Sequence, residues 1–471
     1  MKFCDEFCRM LSGVTQSSGK PTGIISSLLK DRVGLVATHF DKNCHDIDTS
    51  SLDVASTGLP SSSSPAPAPP SSLSGRNTSS GKTYGSPFHT EDYPKASYVE
   101  RSEREQIDDL LEESFVLQLM KSRVLPILDL KFELSKCRIT PLKVSKRGGI
   151  ATIEYKLEQI PRERTAQDII SKTLVGKWRR DGNLKQVFDN LKILWSYCIW
   201  HGRSDSKSGG YESRLKICEP IAYFVDYNFM LTSNGSGTTF EALLKDNNLD
   251  LIEPAVTQSA KWLAKLHRTT PAGVQNIFST REEEEKLHKW YQHLSLLFPD
   301  YAPRIQRLLS YILHEQKKLN PKFFVFIHGD FHPLNILVEG SDLTVVDFEH
   351  SCVFDPAKDL AYFISYLVMR KEKYSLNLDV EALEQIFLRN YLQEVSSTKT
   401  TEAAEAAPAA APAALATSLQ RIDLYKARSY LQNLHFRYWT LKKKLDDSYL
   451  GYWVANTEKC IEDQINKKCH L

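Results

Sequence analysis

The forty residues from Phe324 to Phe363, FVFIHGDFHPLNILVEGSDLTVVDFEHSCVFDPAKDLAYF, constrain this chain more than any other segment. They set five aspartates, two glutamates, three histidines and an asparagine between runs of Val, Ile, Leu and Phe. A chain that needed only a hydrophobic core has little reason to place such costly groups beside its most apolar residues. The apolar runs read as strands that hold the polar groups still. Residues 323–327 form a buried-strand pattern ending at His328-Gly329-Asp330, and 335–339 and 343–348 form two short strands around the turn Gly340-Ser341-Asp342. That hairpin brings Asn335 and Asp347 to neighbouring ends, so Asp330, Asn335 and Asp347 are expected to converge. Hard oxygen donors of this kind suit Mg²⁺, which takes few protein ligands and leaves its other positions to water and phosphate.

Upstream the pattern is strand-rich. Residues 137–145 and 150–160 flank Lys146-Arg147-Gly148-Gly149 and predict a hairpin; 168–180 is a third strand. In 183–199, Leu184, Val187, Phe188, Leu191, Leu194 and Trp195 fall at helical spacing, and 219–233 gives two strands around a turn at Asp226–Asn228. Downstream, helical patterns occupy 251–269, 282–298, 303–319, 356–372, 380–395 and 419–445. The expected class is α+β: a small antiparallel β N-lobe at 101–235, a larger, mostly helical C-lobe at 236–397 and 419–455, and a ligand cleft between them. Residues 1–100 are expected to be a largely disordered extension, because its Ser/Pro-rich part at 50–86 has too little apolar surface to offset its ordering entropy. Pro408 and Pro412 interrupt the Ala-rich segment 398–418, which is expected to be a flexible insertion, and 456–471 a C-terminal tail.

Composition narrows the partners. Against 58 Asp and Glu stand 60 Lys and Arg, a near-balance with no electrostatic footprint for nucleic acid or an anionic membrane surface. Nine cysteines without a CxxC pair read as free thiols of a reducing compartment. With no apolar run long enough for a bilayer and no secretory signal pattern at the N-terminus, a cytoplasmic protein is expected.

HGDFHPLN, followed by VVDFEH and DPAKDLA, resembles the signature of the aminoglycoside phosphotransferase and choline kinase superfamily, small-molecule relatives of the protein kinases. The likeness continues upstream in order, through the Gly-bearing hairpin, the lysine in TLVGKWRR, the helix after it, NFMLTSNGSG and AKWLAKLHR, and covers most of 135–395. It implies a bilobal protein-kinase-like fold that transfers the γ-phosphate of ATP, with Mg²⁺, to a hydroxyl of a small-molecule substrate. On this resemblance Asp330 accepts the hydroxyl proton and Asn335 and Asp347 hold Mg²⁺ against the phosphates, while Glu349 assists a second metal. Lys177 pairs with the α- and β-phosphates, Gly148 and Gly149 cover them, and backbone groups of Leu231, Thr232 and Ser233 meet the adenine.

Plainer readings stand beside these. Asp330 and Asp342 suit turns, His328 a packed structural role, and His332 either substrate contact or loop structure. Asp355 and Asp359 read as braces or helix caps. Lys156 competes with Lys177 for the phosphates. The acidic run Glu282–Glu285 reads as a solvated helix face, with attraction of a cationic substrate as its rival. The superfamily offers a helix carboxylate to the lysine, whereas here the following helix carries Asp189 alone. A kinase-fold binding module without catalysis is the alternative function. A protein kinase is disfavoured because no DFG and no APE-bounded loop follow Val346.

Overall fold

The computed structural model describes residues 103–128, 132–145, 149–161, 170–180, 184–201, 215–269, 274, 279–397 and 418–469, all within the compact unit Val99–Leu471. The extension 1–100 with its 50–86 stretch, Gly148 and most of the 398–418 insertion lie outside the described residues.

Three helices, α1 (Glu103–Leu110), α2 (Glu113–Leu119) and α3 (Leu125–Leu128), open the described chain where the sequence reading assigned no element. Glu112 caps α2 by accepting from the amides of Ser114 and Phe115. Strands β1 (Phe132–Ser145) and β2 (Ile150–Pro161) form the expected hairpin, with Ser145 opposite Ile150. Then come β3 (Ile170–Arg179), helix α4 (Leu184–His201), a short β4 (Lys216–Ile217), β5 (Pro220–Phe224) and β6 (Phe229–Ser233). The result is an antiparallel sheet in the order β1-β2-β3-β6-β5.

Alternation along β3 separates its two jobs. Leu174 and Trp178 point into an apolar layer with Leu110, Val116, Met120, Tyr155 and Phe229, while Lys177 and Arg179 point to the other face. Gly176 lies on the apolar side. A Cβ there would stand 2.3 Å from the Phe229 ring and 2.6 Å from that of Tyr155, so the absence of a side chain lets those two rings meet edge to face. The covering helices are tied down by polar ends, since Tyr155 donates to the Leu110 carbonyl at 2.9 Å and Trp178 to Gln106 at 3.3 Å.

The helical lobe begins with β7 (Thr238–Thr239), α5 (Phe240–Lys245), α6 (Leu249–Arg268), α7 (Thr280–Leu297) and α8 (Ala302–Gln316). Three short strands carry the polar stretch: β8 (Val325–Ile327), β9 (Ile336–Glu339) and β10 (Asp342–Val345), with β9 and β10 paired as the expected hairpin. β11 (Cys352–Phe354) pairs with β8. Helices α9 (Ala357–Tyr374), α10 (Val380–Ser396), α11 (Ile422–His435) and α12 (Asp447–Cys469) complete the lobe. A core cluster built from α4, α6, the short strands, α9 and α10 joins the two lobes. The two-lobe α+β architecture expected from the sequence is the one observed. One boundary differs: the segment from 456 is no tail, because α12 continues to Cys469 with Ile461 and Ile465 buried in its packing. Among the described residues no helix is long and apolar enough to cross a membrane.

The acidic run is not a uniformly solvated face. Glu283 is buried and bound by Arg428 of α11, whose guanidinium also lies over the Trp290 ring; Glu284 meets Lys317 and Glu285 meets Arg281. Burial works to raise the Glu283 carboxyl, but the charge and hydrogen bond of Arg428 overcome it, bringing the group from its ordinary 4.5 down to about 2. A depressed carboxyl contributes stability that is fully present above 4.5 and is lost as pH falls toward 2. Glu283→Gln should therefore flatten the acid limb of the stability curve, removing a pH-dependent difference on the order of 3 kcal/mol. Urea midpoints at pH 7, 4 and 2.5 measure it, and parallel curves for the two proteins would contradict the pairing.

Candidate active site

The site is organised behind β8, where the chain must stop being a strand and expose a carboxylate. Asp359, in the first turn of α9 and fully buried, accepts from the amides of His328 at 2.7 Å and Gly329 at 2.8 Å. His267 of α6 stands 3.3 Å from the same carboxylate and its other ring nitrogen meets the Tyr391 hydroxyl of α10 at 2.9 Å. Burial acts to raise Asp359, yet His267, His328 and the amide bonds hold it below the ordinary carboxylate range. Gly329 has φ +80°, and a Cβ there would fall 2.0 Å from the His350 carbonyl oxygen, so only glycine makes this turn. Asp355, the other expected brace, accepts from the Ala357 amide and takes Arg421 on both oxygens.

The turn delivers Asp330. Its Oδ2 lies 3.3 Å from His332 Nε2 and receives Asn335 Nδ2 at 3.3 Å, while the same amide donates to the Asp330 carbonyl at 3.0 Å. His332 Nδ1 accepts from the Leu334 amide at 3.2 Å, which leaves Nε2 to carry the proton toward Asp330. Burial pushes the Asp330 carboxyl up, but the hydrogen bond and charge of His332, with the fields of His350 and His328, hold it well below the usual range. It is a carboxylate at neutral pH. His328 has the packed role expected of it: Nε2 donates to the Val346 carbonyl at 2.9 Å, Nδ1 accepts from the Asp330 amide, and burial keeps the ring neutral.

From the other side comes Asp347. The Val346 amide donates to the Asn335 carbonyl at 3.0 Å, which joins the start of β9 to the end of β10 and sets Asp347 beside Asn335. Asp347 adopts φ +69°, turning the chain into a 3₁₀ turn at Phe348–His350. Its Oδ1 receives Lys177 Nζ at 2.6 Å, and the lysine also reaches Glu349 at 2.8 Å. Lys177 is thus the lysine of the site, while its rival Lys156 is exposed on β2. Burial opposes the charge of Lys177, and the two carboxylates outweigh it to raise its pKa.

The remaining expected residues are placed differently. Gly149 takes φ +64° in the hairpin turn, where its carbonyl accepts from Arg180 at 2.9 Å and a Cβ would meet the Arg180 side chain at 2.7 Å; its partner Gly148 lies outside the described residues. Leu231, Thr232 and Ser233 are the last residues of β6, within the strand read from the sequence. The Ser233 amide is committed to the Glu219 carbonyl at 2.8 Å, and its hydroxyl accepts from the Glu219 amide. Glu349 gives its second oxygen to Arg179 at 2.7 Å. Asp342 pairs with Lys216 away from the site.

The sequence reading missed an aromatic wall. Tyr366 stacks on His332 with centroids 4.3 Å apart, Tyr362 lies 5.0 Å from Tyr366, where burial and the charge of Asp330 push its hydroxyl up, and Gln432 donates to that hydroxyl. The spacing of Tyr362 and Tyr366, four apart on the helix whose first turn holds Asp359, was the available signal. The arrangement is an ionised carboxylate at the end of a buried strand, an amide and a second carboxylate beside it, and a lysine opposite.

Residues 211–395 match the model of the phosphotransferase enzyme family, so the resemblance drawn from the motifs is met over this segment. No curated protein matches the chain. Among solved structures, choline kinase LicA from Streptococcus pneumoniae is 15% identical, covering 74% of this chain and 98% of its own, with a TM-score of 0.43. A choline kinase from Cryptosporidium parvum is 12% identical, with coverages of 76% and 96% and a TM-score of 0.43. The amicoumacin kinase hAmiN in complex with AMP-PNP, Ca²⁺ and Ami is 11% identical, with coverages of 76% and 95% and a TM-score of 0.47.

Removing the clamp should be costly. Asp359→Ala leaves the buried His328 amide, the part-buried Gly329 amide and His267 without their acceptor, with an expected loss of at least about 3 kcal/mol. Equilibrium urea unfolding measures it, and a loss below about 1 kcal/mol would show that the turn is held by other means.

Proposed function

We propose that this chain, which matches the phosphotransferase enzyme family over residues 211–395, uses MgATP to phosphorylate a hydroxyl of a small molecule. The observation that carries the reading is the convergence of Asp330, Asn335 and Asp347, with Lys177 meeting them from β3. Their donor atoms fit Mg²⁺. The Nδ2 of Asn335 is engaged with Asp330, which leaves Oδ1 as its ligand atom, and Asp347 already holds a cation, the lysine ammonium, against its carboxylate. When bound, Mg²⁺ would neutralise phosphate oxygens beside Asn335 and Asp347.

The protein's own residues have definite tasks. Asp330, kept ionised by His332, accepts the proton of the substrate hydroxyl. The hydroxyl oxygen bonds to the γ-phosphorus as the bond to the β–γ bridging oxygen breaks, so ADP leaves with that electron pair. Lys177 pairs with the α- and β-phosphates and offsets their charge. The tyrosine wall of α9 borders Asp330 and is the natural flank for the acceptor. Adenine is assigned to the end of β6 at Leu231–Ser233, through backbone groups other than the Ser233 amide.

A screen of amines, sugars and amino alcohols for accelerated MgATP consumption tests this directly. Once an acceptor is found, Asp330→Ala should lower kcat by at least about 100-fold, and Asp347→Ala should abolish the dependence on added Mg²⁺ together with turnover. Retained turnover in both well-folded variants would remove the proposal.

A further inference from the structure

The superfamily pattern implies a helix carboxylate for the β3 lysine, and α4 does not offer one. Its only acid, Asp189, pairs with Lys185 one turn away, and both side chains are about half exposed. The face that α4 turns inward is built from Leu184, Val187, Leu191 and Leu194, with Asn190 its buried polar member. That face packs on the turn that follows Asp347. A carboxylate is nevertheless present at the lysine, and it comes from that turn.

We infer that Glu349 is the positioning residue for Lys177, supplying from the loop beyond Asp347 the carboxylate that would otherwise come from the helix. Three observations carry this. Each Glu349 oxygen holds a different cation of β3: Oε1 takes Lys177 Nζ at 2.8 Å and Oε2 takes Arg179 Nη1 at 2.7 Å. Lys177 and Arg179 are two apart on one strand, so they share a face and one carboxylate spans both. The turn that presents Glu349 is pinned. Phe348 is buried against Trp262 and His328, and its carbonyl accepts from both the amide and the hydroxyl of Ser351.

This revises the expectation that Glu349 assists a second metal, since such a role would require one of two ion pairs to break. It also gives the lysine two carboxylates with separate duties. Asp347 is the ligand for a cation, whereas Glu349 keeps Lys177 directed into the cleft when Asp347 is occupied. The inference rests on the reading of Lys177 as the phosphate lysine.

The test uses the full chain in two arms. In the metal-free, nucleotide-free protein, acylation of Lys177 by an N-hydroxysuccinimide ester is followed by peptide mass spectrometry. Glu349→Gln should acylate about tenfold faster, because Lys177 loses one of the two carboxylates that hold its ammonium. Glu349→Asp should lie between it and the parent, and Asp189→Asn should match the parent. In the second arm, ATP is varied at saturating Mg²⁺ and Mg²⁺ is then titrated at fixed ATP: Glu349→Gln should lower kcat/KM for ATP about tenfold, a loss of roughly 1.4 kcal/mol, with the half-saturating Mg²⁺ unchanged. Unchanged acylation in Glu349→Gln, or equal acceleration in Asp189→Asn, would overturn the assignment. So would a tenfold rise in half-saturating Mg²⁺, which would make Glu349 a metal ligand. Because the acylation arm needs neither ATP nor an acceptor, it decides the pairing even if phosphotransfer itself fails.

Discussion

The site depends on one buried carboxylate. Asp359 accepts the amides of His328 and Gly329 and so fixes the turn at which β8 stops and Asp330 begins. Those amides have no ladder partner in a strand that ends there, and leaving them unpaired in a buried place would cost more than most single contacts contribute. The acceptor is itself anchored by His267 and, through it, Tyr391. Three helices of the C-lobe therefore converge on the backbone of two residues. Gly329 completes the device, because the His350 carbonyl occupies the space that any side chain would need.

A second constraint links the sheet to this turn. Lys177 and Arg179 project from β3, the strand made rigid by Tyr155, Phe229 and the covering helices, and meet Asp347 and Glu349 from the helical lobe. Lys177 and Arg179 face Asp347 and Glu349, and the ionised Asp330 adds a third carboxylate to the site. Under the proposed function the metal would replace the lysine on Asp347, while Glu349 keeps its hold on Lys177 and Arg179. Phosphoryl transfer asks a protein chiefly for placement and charge neutralisation.

Much of this was legible in the sequence because it was written in short-range patterns. Alternation gave the strands, three- and four-residue spacing gave α4 and most C-lobe helices, and the abrupt strand end at His328 marked the site, whereas Asp347, read as part of a strand to Phe348, lies beyond the end of β10 at Val345. Asp355 and Asp359 were readable as braces from their place before a helix. What escaped was set by contacts distant in sequence. Nothing local says that Glu349 meets Arg179, 170 positions before it, or that Glu283 in an acidic run is buried on Arg428. The helices at 103–128 were missed because their apolar residues declare themselves only against the sheet they cover. Helix α12 was missed for a similar reason, as buried residues such as Ile461 and Ile465 are sparse among charged neighbours. At Ser233 the bond of its amide to the Glu219 carbonyl, fourteen positions back, is likewise invisible to local pattern.

The central claim is that this cleft binds MgATP through Asp347, Asn335 and Lys177. Isothermal titration of the full chain with ATP, in the presence of Mg²⁺ and then of a chelator, tests it most directly. The account predicts one saturable site whose affinity falls sharply when Mg²⁺ is removed and is lost in Asp347→Asn. Absence of binding to the folded protein, or binding indifferent to both Mg²⁺ and Asp347, would contradict it.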